Sequence, residues 1–133
     1  MKYSCALFCD DSAVMDLSEA ELAMLDLYCK RAELKNQQEI LELGCGWGSL
    51  SLYLAQRYPG SSITTMSHSA SQADYIREQA KLRKLDNICV ITADINQFDP
   101  ANYGFQSQHF DRVLSIEMIE HTKNQLLLMQ RIR

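Results

Sequence analysis

Three side chains late in the 133-residue chain have the types and spacing of proton-transfer chemistry. Glu117 and Glu120 stand three residues apart, and His121 follows Glu117 by four. On a helical turn that spacing puts Glu117 and His121 on one face. A carboxylate beside an imidazole is a base suited to neutral pH, able to take the proton that an amine must lose before it attacks. The same residues also suit a solvated helix start, where the helix dipole favours acids.

A second stretch points to a ligand rather than to a proton. Ile40-Leu41-Glu42-Leu43 is a short apolar run, and Gly44-Cys45-Gly46-Trp47-Gly48-Ser49 follows it into an amphipathic segment. A buried strand feeding a helix through a glycine turn reads this way. Glycine takes φ > 0 and lets a ligand lie against bare backbone. Dinucleotide sites want G-x-G-x-x-G and an acid about 20 residues on. Here the third glycine comes one position early, and Ser49 stands where that fingerprint wants Gly or Ala. The pattern E-x-G-x-G-x-G resembles motif I of class I S-adenosylmethionine (SAM) methyltransferases. A tight structural turn without a ligand is the plainer alternative.

The elements that must hold these residues follow from periodicity. Ser18-Glu19-Ala20-Glu21 reads as a capping box, with Leu22, Leu25, Cys29 and Ala32 at helical spacing behind it. Strand one is expected at 39–43 and a helix at 48–57, closed by Tyr58-Pro59-Gly60. Ser62 to Met66 reads as strand two. Ser69 caps a helix running to about Lys84, with Gln72 as the partner three residues on. Ile88 to Ile91 is strand three, 96–109 a polar loop, and Phe110 to Ile116 strand four. An apolar helix from Asn124 ends the chain. Strands alternating with helices imply an α/β fold with a parallel sheet and right-handed crossovers. The ligand then sits at the carboxyl ends of the strands.

Composition narrows the classes. Net charge is −4, and Lys and Arg are scattered rather than drawn into the stripe that nucleic-acid binding needs. No nucleic-acid partner is expected. No apolar run approaches a membrane span and no leader opens the chain. The five cysteines are odd in number and form no C-x-x-C, so no disulfide framework and no metal site are expected, and the setting is read as reducing and cytoplasmic. Cys45 and Cys89 read as small core residues. His68 and His109 read as solvated loop residues, and Trp47 as packing at a helix start.

The chain resembles the superfamily of cyclopropane-fatty-acyl-phospholipid synthases, mycolic acid cyclopropane synthases and plant coclaurine-type N-methyltransferases. Tyr3-Ser4-Cys5-Ala6-Leu7-Phe8, Ala23 to Cys29, Leu43 to Leu50, Ser69-Ala70-Ser71-Gln72, Ala93-Asp94-Ile95 and Phe110 to His121 carry the resemblance, in family order. It implies a Rossmann-like SAM-methyltransferase fold, here a partial parallel sheet of about four strands with flanking helices. Residues 1–133 would form the SAM-binding half of a methyltransferase domain, with 1–36 as an N-terminal lid and helix. Tyr3 and Ser4 would close over the methionyl part of SAM. Glu42, Gly44, Gly46 and Gly48 would line it, Gln72 would bind the ribose, and Asp94 with Ile95 would border the adenine. The family uses this Gln where most class I methyltransferases place an acid after strand two; here Met66-Ser67-His68 holds none. Gln72 as a mere capping partner and Asp94 as a turn-closing residue are the structural rivals.

In the synthases the Cys of Tyr-Ser-Cys and the Glu of Glu-His help hold a bicarbonate base, and Cys5 and Glu120 match them. The synthases usually carry Gly at the position of Glu117, whereas Glu-Met-x-Glu-His is the N-methyltransferase form. The expected activity is therefore methyl transfer to an amine nitrogen of a small molecule, catalysed through Glu117, Glu120, His121 and Cys5. Lipid methyl(ene) transfer comes second, and a catalytically inactive SAM-binding or structural fragment third. Family members are longer at both ends, so the chain is expected to come from a truncated gene, a partial gene model or a split protein, with little turnover alone. Strand four would then be an exposed edge open to self-association or to further segments.

Overall fold

The computed structural model describes residues 4–8 and 16–132. Tyr3, Cys9 and the Asp10-Asp11-Ser12 turn signal lie outside the described residues.

Helix α1 spans Leu17–Arg31 and starts earlier than its sequence suggests. Asp16, not Ser18, is the cap. Its carboxylate accepts from Glu19 N at 2.8 Å, and Glu19 Oε2 accepts from Asp16 N at 3.1 Å. Two overlapping boxes, one headed by Asp16 and one by Ser18, are available here, and the one that forms adds half a turn of helix. Ala20, Leu25 and Cys29 form its buried stripe, while Leu22 stays exposed.

Strand β1, Glu39–Leu43, leads through the glycine turn into α2, Ser49–Arg57. Strand β2 spans Ser62–Ser67, α3 Ala70–Leu82 and β3 Ile88–Thr92. A 3₁₀ turn at Pro100–Tyr103 precedes β4, Arg112–Leu114, and α4 spans Gln125–Ile132. All strands are parallel in the order β3-β2-β1-β4. The fold is a four-stranded α/β sheet with β1 flanked on both sides.

Its two faces are packed separately. Ile40 and Ile63 meet Leu25, Cys29, Leu50 and Leu54 from α1 and α2. Leu41, Leu43, Met66 and Ile91 face the other way, toward Phe98 and Leu128. Alternate residues of one strand thus enter opposite cores, as the pleat requires. Asn87 ties the base of the first layer, donating from Nδ2 to the carbonyls of Ala55, Tyr58 and Ser61 at 3.1, 3.1 and 2.9 Å. Tyr53 of α2 donates to Asp26 of α1 at 2.6 Å.

Strand β4 is shorter than the seven residues expected of it, and it lies at the sheet's edge as expected. Before it, Asp111 is taken up by Glu39: its carboxylate accepts from Glu39 N at 2.8 Å. After it, the chain turns away at Glu117, which holds φ 51°. Cys89 is exposed rather than a core residue, because β3 is the other edge strand. Cys45 is buried as expected. Among the described residues no helix is long and apolar enough to cross a membrane.

The glycine turn is made by packing as much as by conformation. Gly48 is the N-cap of α2 at φ 77°, and a Cβ on it would lie 2.6 Å from Cγ1 of Ile76, a fully buried residue of α3. Gly48→Ala should therefore destabilise the fold by about 2–4 kcal/mol, combining the cost of a left-handed residue with that of an overpacked core. Urea unfolding of the two proteins measures it; an unchanged midpoint would contradict this reading of Gly48.

Candidate functional site

The strand order reverses between β1 and β4. Helices α2 and α3 carry the chain from β1 to β2 to β3 along one face, and the connection to β4 returns along the other. The carboxyl ends of β1 and β4 therefore diverge, and a crevice opens between them. The glycine turn leaves β1 on one side of it, and the segment from Ile116 to His121 leaves β4 on the other.

Two hollows share this crevice. The first, about 330 Å³, is floored by Glu42, Gly44 and Gly46 and walled by Ser4, Tyr28 and Glu120. The second, about 850 Å³ and more open, runs past Ser67, Gln72, Asp94 and Ile95. Gly44, Gly46, Glu117 and His121 line both and form the neck between them. A ligand with two distinct ends would cross this neck.

Gly44 lets the segment after β4 come close against the glycine turn because it has no side chain. A Cβ there would lie 2.5 Å from Cγ of Met118, and φ is 79°. The amides of Gly44 and Cys45 are committed to the Met66 carbonyl, each at 3.0 Å, which pins the turn to β2. Gly46 also holds positive φ, 53°. Gly48 lines neither hollow; it serves the packing of α2 on α3. Trp47 stacks edge-on against Tyr75 of α3, with centroids 5.4 Å apart, and borders the first hollow.

Glu117 and His121 do share a wall, but not as one face of a helical turn. Glu117 sits in the left-handed region, and only Ile119–His121 form a 3₁₀ turn. The left-handed kink swings Glu117 back over the glycine turn. Its Oε1 accepts from the Cys5 amide at 3.2 Å, so the segment 4–8 is tied to this wall. The other end of that segment is anchored by Leu7 N donating to Ala20 O at 2.9 Å. Cys5 contributes a backbone contact here; its thiol is exposed.

Glu42 is the floor's acid. It is 4% exposed, and its Oε2 accepts hydrogen bonds from Ser51 of α2 and, at 3.2 Å, from Thr65 of β2. Burial pushes its carboxyl up to about 7 against those two hydrogen bonds. Burial likewise pushes the neighbouring Cys45 thiol up to about 11.

On the second hollow, Gln72 is bound by the Ser69 cap through its backbone alone, and its side chain turns to Ser67. Ser69 Oγ accepts from Gln72 N at 3.4 Å, and the Gln72 amide oxygen accepts from Ser67 Oγ at 2.8 Å. Asp94 accepts from Asn96 N at 2.9 Å and from Asn96 Nδ2 at 2.8 Å. The Asn96 amide bond holds its carboxyl below the usual range. His68, read from sequence as a plain solvated residue, is exposed but borders this hollow.

Tyr28 is a site residue that the motifs did not single out. It rises from α1 into the first hollow, hydrogen-bonded to Ser4, and burial is the main cause of its raised hydroxyl. Its place in the helical apolar stripe, beside Leu25 and Cys29, gave no signal distinct from packing.

Among known proteins, the family described as mycolic acid cyclopropane synthetase matches residues 1–129. The chain is 42% identical over 133 residues to (S)-coclaurine N-methyltransferase of Thalictrum flavum subsp. glaucum. It is 32% identical over 121 residues to cyclopropane-fatty-acyl-phospholipid synthase of Escherichia coli K12. The match covers all of this chain but 35% of the plant relative, and 91% of this chain but 28% of the bacterial one. A coclaurine N-methyltransferase structure bound to N-methylheliamine and S-adenosylhomocysteine (SAH) superposes with TM-score 0.88 and 44% identity, over 98% of this chain and 36% of that one. The mycolic acid cyclopropane synthase CmaA1, complexed with SAH, gives 0.74 and 29%, over 90% of this chain and 39% of that one. The crevice at the β1/β4 reversal thus sits in the Rossmann-like fold of SAM-dependent methyltransferases, and the chain belongs to the mycolic acid cyclopropane synthetase family.

Proposed function

We propose that this chain binds SAM and contributes to methyl transfer onto an amine nitrogen of a small molecule. The observation that carries the reading is the shared neck: Glu117 and His121 stand across from Gly44 and Gly46, between two hollows of different character. In this reading Ser4, with Tyr3, closes over the methionyl part, above Glu42, Gly44 and Gly46. Gly48 shapes the turn from behind. Gln72 takes the ribose, and Asp94 and Ile95 border the adenine. When bound, SAM supplies an electrophilic methyl group on a positively charged sulfur.

The chain's own residues supply position and a proton sink. An amine is mostly protonated near neutral pH and attacks only after losing that proton. Glu117 is held by the Cys5 amide, Glu120 lies three residues on, and His121 shares the wall. The group can accept the proton and balance the developing charge. Alignment of acceptor and methyl group supplies the rest of the rate.

A lipid acceptor is the second reading, favoured by the 32% identity to the bacterial synthase, with Cys5 and Glu120 then holding a bicarbonate base. A binder without catalysis, associating through the outer strand β4, is the third; size exclusion separates it. We read the setting as cytoplasmic from an odd number of cysteines without a C-x-x-C pair.

SAM or SAH at about a hundredfold over its Kd should stabilise the protein by about 2.7 kcal/mol, a shift of several degrees, while NAD should give none. A shift with NAD alone would refute the cofactor reading. Gly46→Val should abolish SAM binding, because a branched side chain fills the space against the backbone and, at φ 53°, strains the turn. Normal SAM binding by the folded variant would remove Gly46 from the site. For the acceptor chemistry, residues 1–133 can be grafted in place of the matching part of the Thalictrum enzyme. There Glu117→Ala should lower amine methylation about 10²–10⁴-fold with SAM affinity within a few-fold. If Glu117→Gly, the residue usual in the synthases, leaves amine methylation intact, Glu117 is no base and the lipid reading gains.

A further inference from the structure

The floor of the first hollow carries an acid without a cation. Among the described residues Glu42 makes no ion pair. Among the described residues the groups hydrogen-bonded to its carboxylate are neutral hydroxyls. Helix α2 presents the Ser51 hydroxyl, β2 the Thr65 hydroxyl, and β4 pairs alongside with Leu114. The glycine turn presents the Cys45 thiol, which burial keeps protonated. Across the hollow stand Tyr28 from α1 and Glu117, Glu120 and His121 beyond β4. Two neutral hydroxyls do not repay the desolvation of a carboxylate that is 4% exposed.

We propose that at mildly acidic pH Glu42 carries a proton in the empty crevice and releases it to solvent when the cationic part of the ligand settles over the glycine turn. The inference rests on the SAM reading above. It makes Glu42 a positioning residue whose charge appears only with the ligand. The ligand brings positive charge on its sulfonium and ammonium groups, and a nearby positive charge favours the ionised carboxyl. Burial that disfavours the anion in the empty site then strengthens the attraction in the filled one.

Affinity then depends on pH with a definite sign. In the empty protein Glu42 ionises around pH 7, and with the ligand bound it ionises at lower pH. Between those values binding expels a proton, so affinity rises with pH. Above the empty-site value the rise stops.

Titration calorimetry with SAM, at pH 6 and pH 8 and in buffers of different ionisation enthalpy, tests this on the wild-type chain and Glu42→Gln. The ligand's own ammonium titrates against both proteins and cancels in the difference. For a group centred near 7, the ratio of wild-type to variant affinity should rise about tenfold from pH 6 to pH 8. At pH 6 the wild type should release nearly one proton more than the variant. His121→Asn, which removes the imidazole from the same wall, should keep that release. Equal release by wild type and Glu42→Gln, or its loss in His121→Asn, overturns the proposal. Should Glu42→Gln fail to fold, ¹³C NMR of glutamate carboxyls in the wild type decides. Glu42 should titrate near neutrality when free and stay ionised at pH 6 with SAM bound; ionisation already at pH 6 without ligand overturns the idea. No SAM binding at any pH would instead sink the cofactor reading itself.

Discussion

A strand buried on both faces has to turn into a helix within a few residues, with no room for a side chain at two of them. That constraint organises the protein. Strand β1 lies between β2 and β4, and its alternate residues feed opposite cores. At its end Gly44 passes under Met118 and Gly48 passes over Ile76, each closer than a Cβ allows. Helix α2 can then lie flat on β1, the Gly44 and Cys45 amides can reach Met66, and the neck between the two hollows stays open. A larger residue at either glycine would push α2 or the Glu117 wall outward.

The same closeness sets the electrostatics. Because α2 packs tightly over the end of β1, Glu42 is sealed between Ser51 and Thr65 while still flooring the crevice. Among the described residues the charged and hydroxyl groups lining the first hollow are Glu42, Glu117, Glu120, Ser4, Tyr28 and Ser49, beside the His121 imidazole and the apolar Leu25, Leu50, Ile116 and Trp47. A site of this character attracts cations, whether on a cofactor or on an amine. The Gly44, Cys45 and Gly48 amides of the turn are already hydrogen-bonded within the protein.

Much of this was legible in the chain. The limits of β1 and α2, the Ser69 cap with Gln72, and the parallel sheet follow from periodicity and turn residues. So does the location of the crevice after β1. The features that stayed hidden have physical reasons. Asp16 and Ser18 head competing capping boxes, and only the packed helix decides between them. The spacing of Glu117, Glu120 and His121 fits a helical turn, yet a left-handed residue at Glu117 brings the first and last to one wall by another route. The raised carboxyl of Glu42 comes from burial between elements distant in sequence, and Tyr28 is indistinguishable from its apolar neighbours until α1 is docked.

The bond from the Cys5 amide to Glu117 spans 112 residues of sequence. During synthesis, the segment 4–8 leaves the ribosome long before Glu117 is made. Strand β1, its turn and α2 emerge in between and can pair locally with β2 and α3. The crevice wall needs β4 paired on the far side of β1, so it joins the two ends of the described chain. Contacts of such sequence separation cost chain entropy to close, and a fold rich in them forms more slowly than one built from local contacts. Ligand capture therefore reports a finished chain order, and a nascent or misregistered sheet would have no neck in which to hold one.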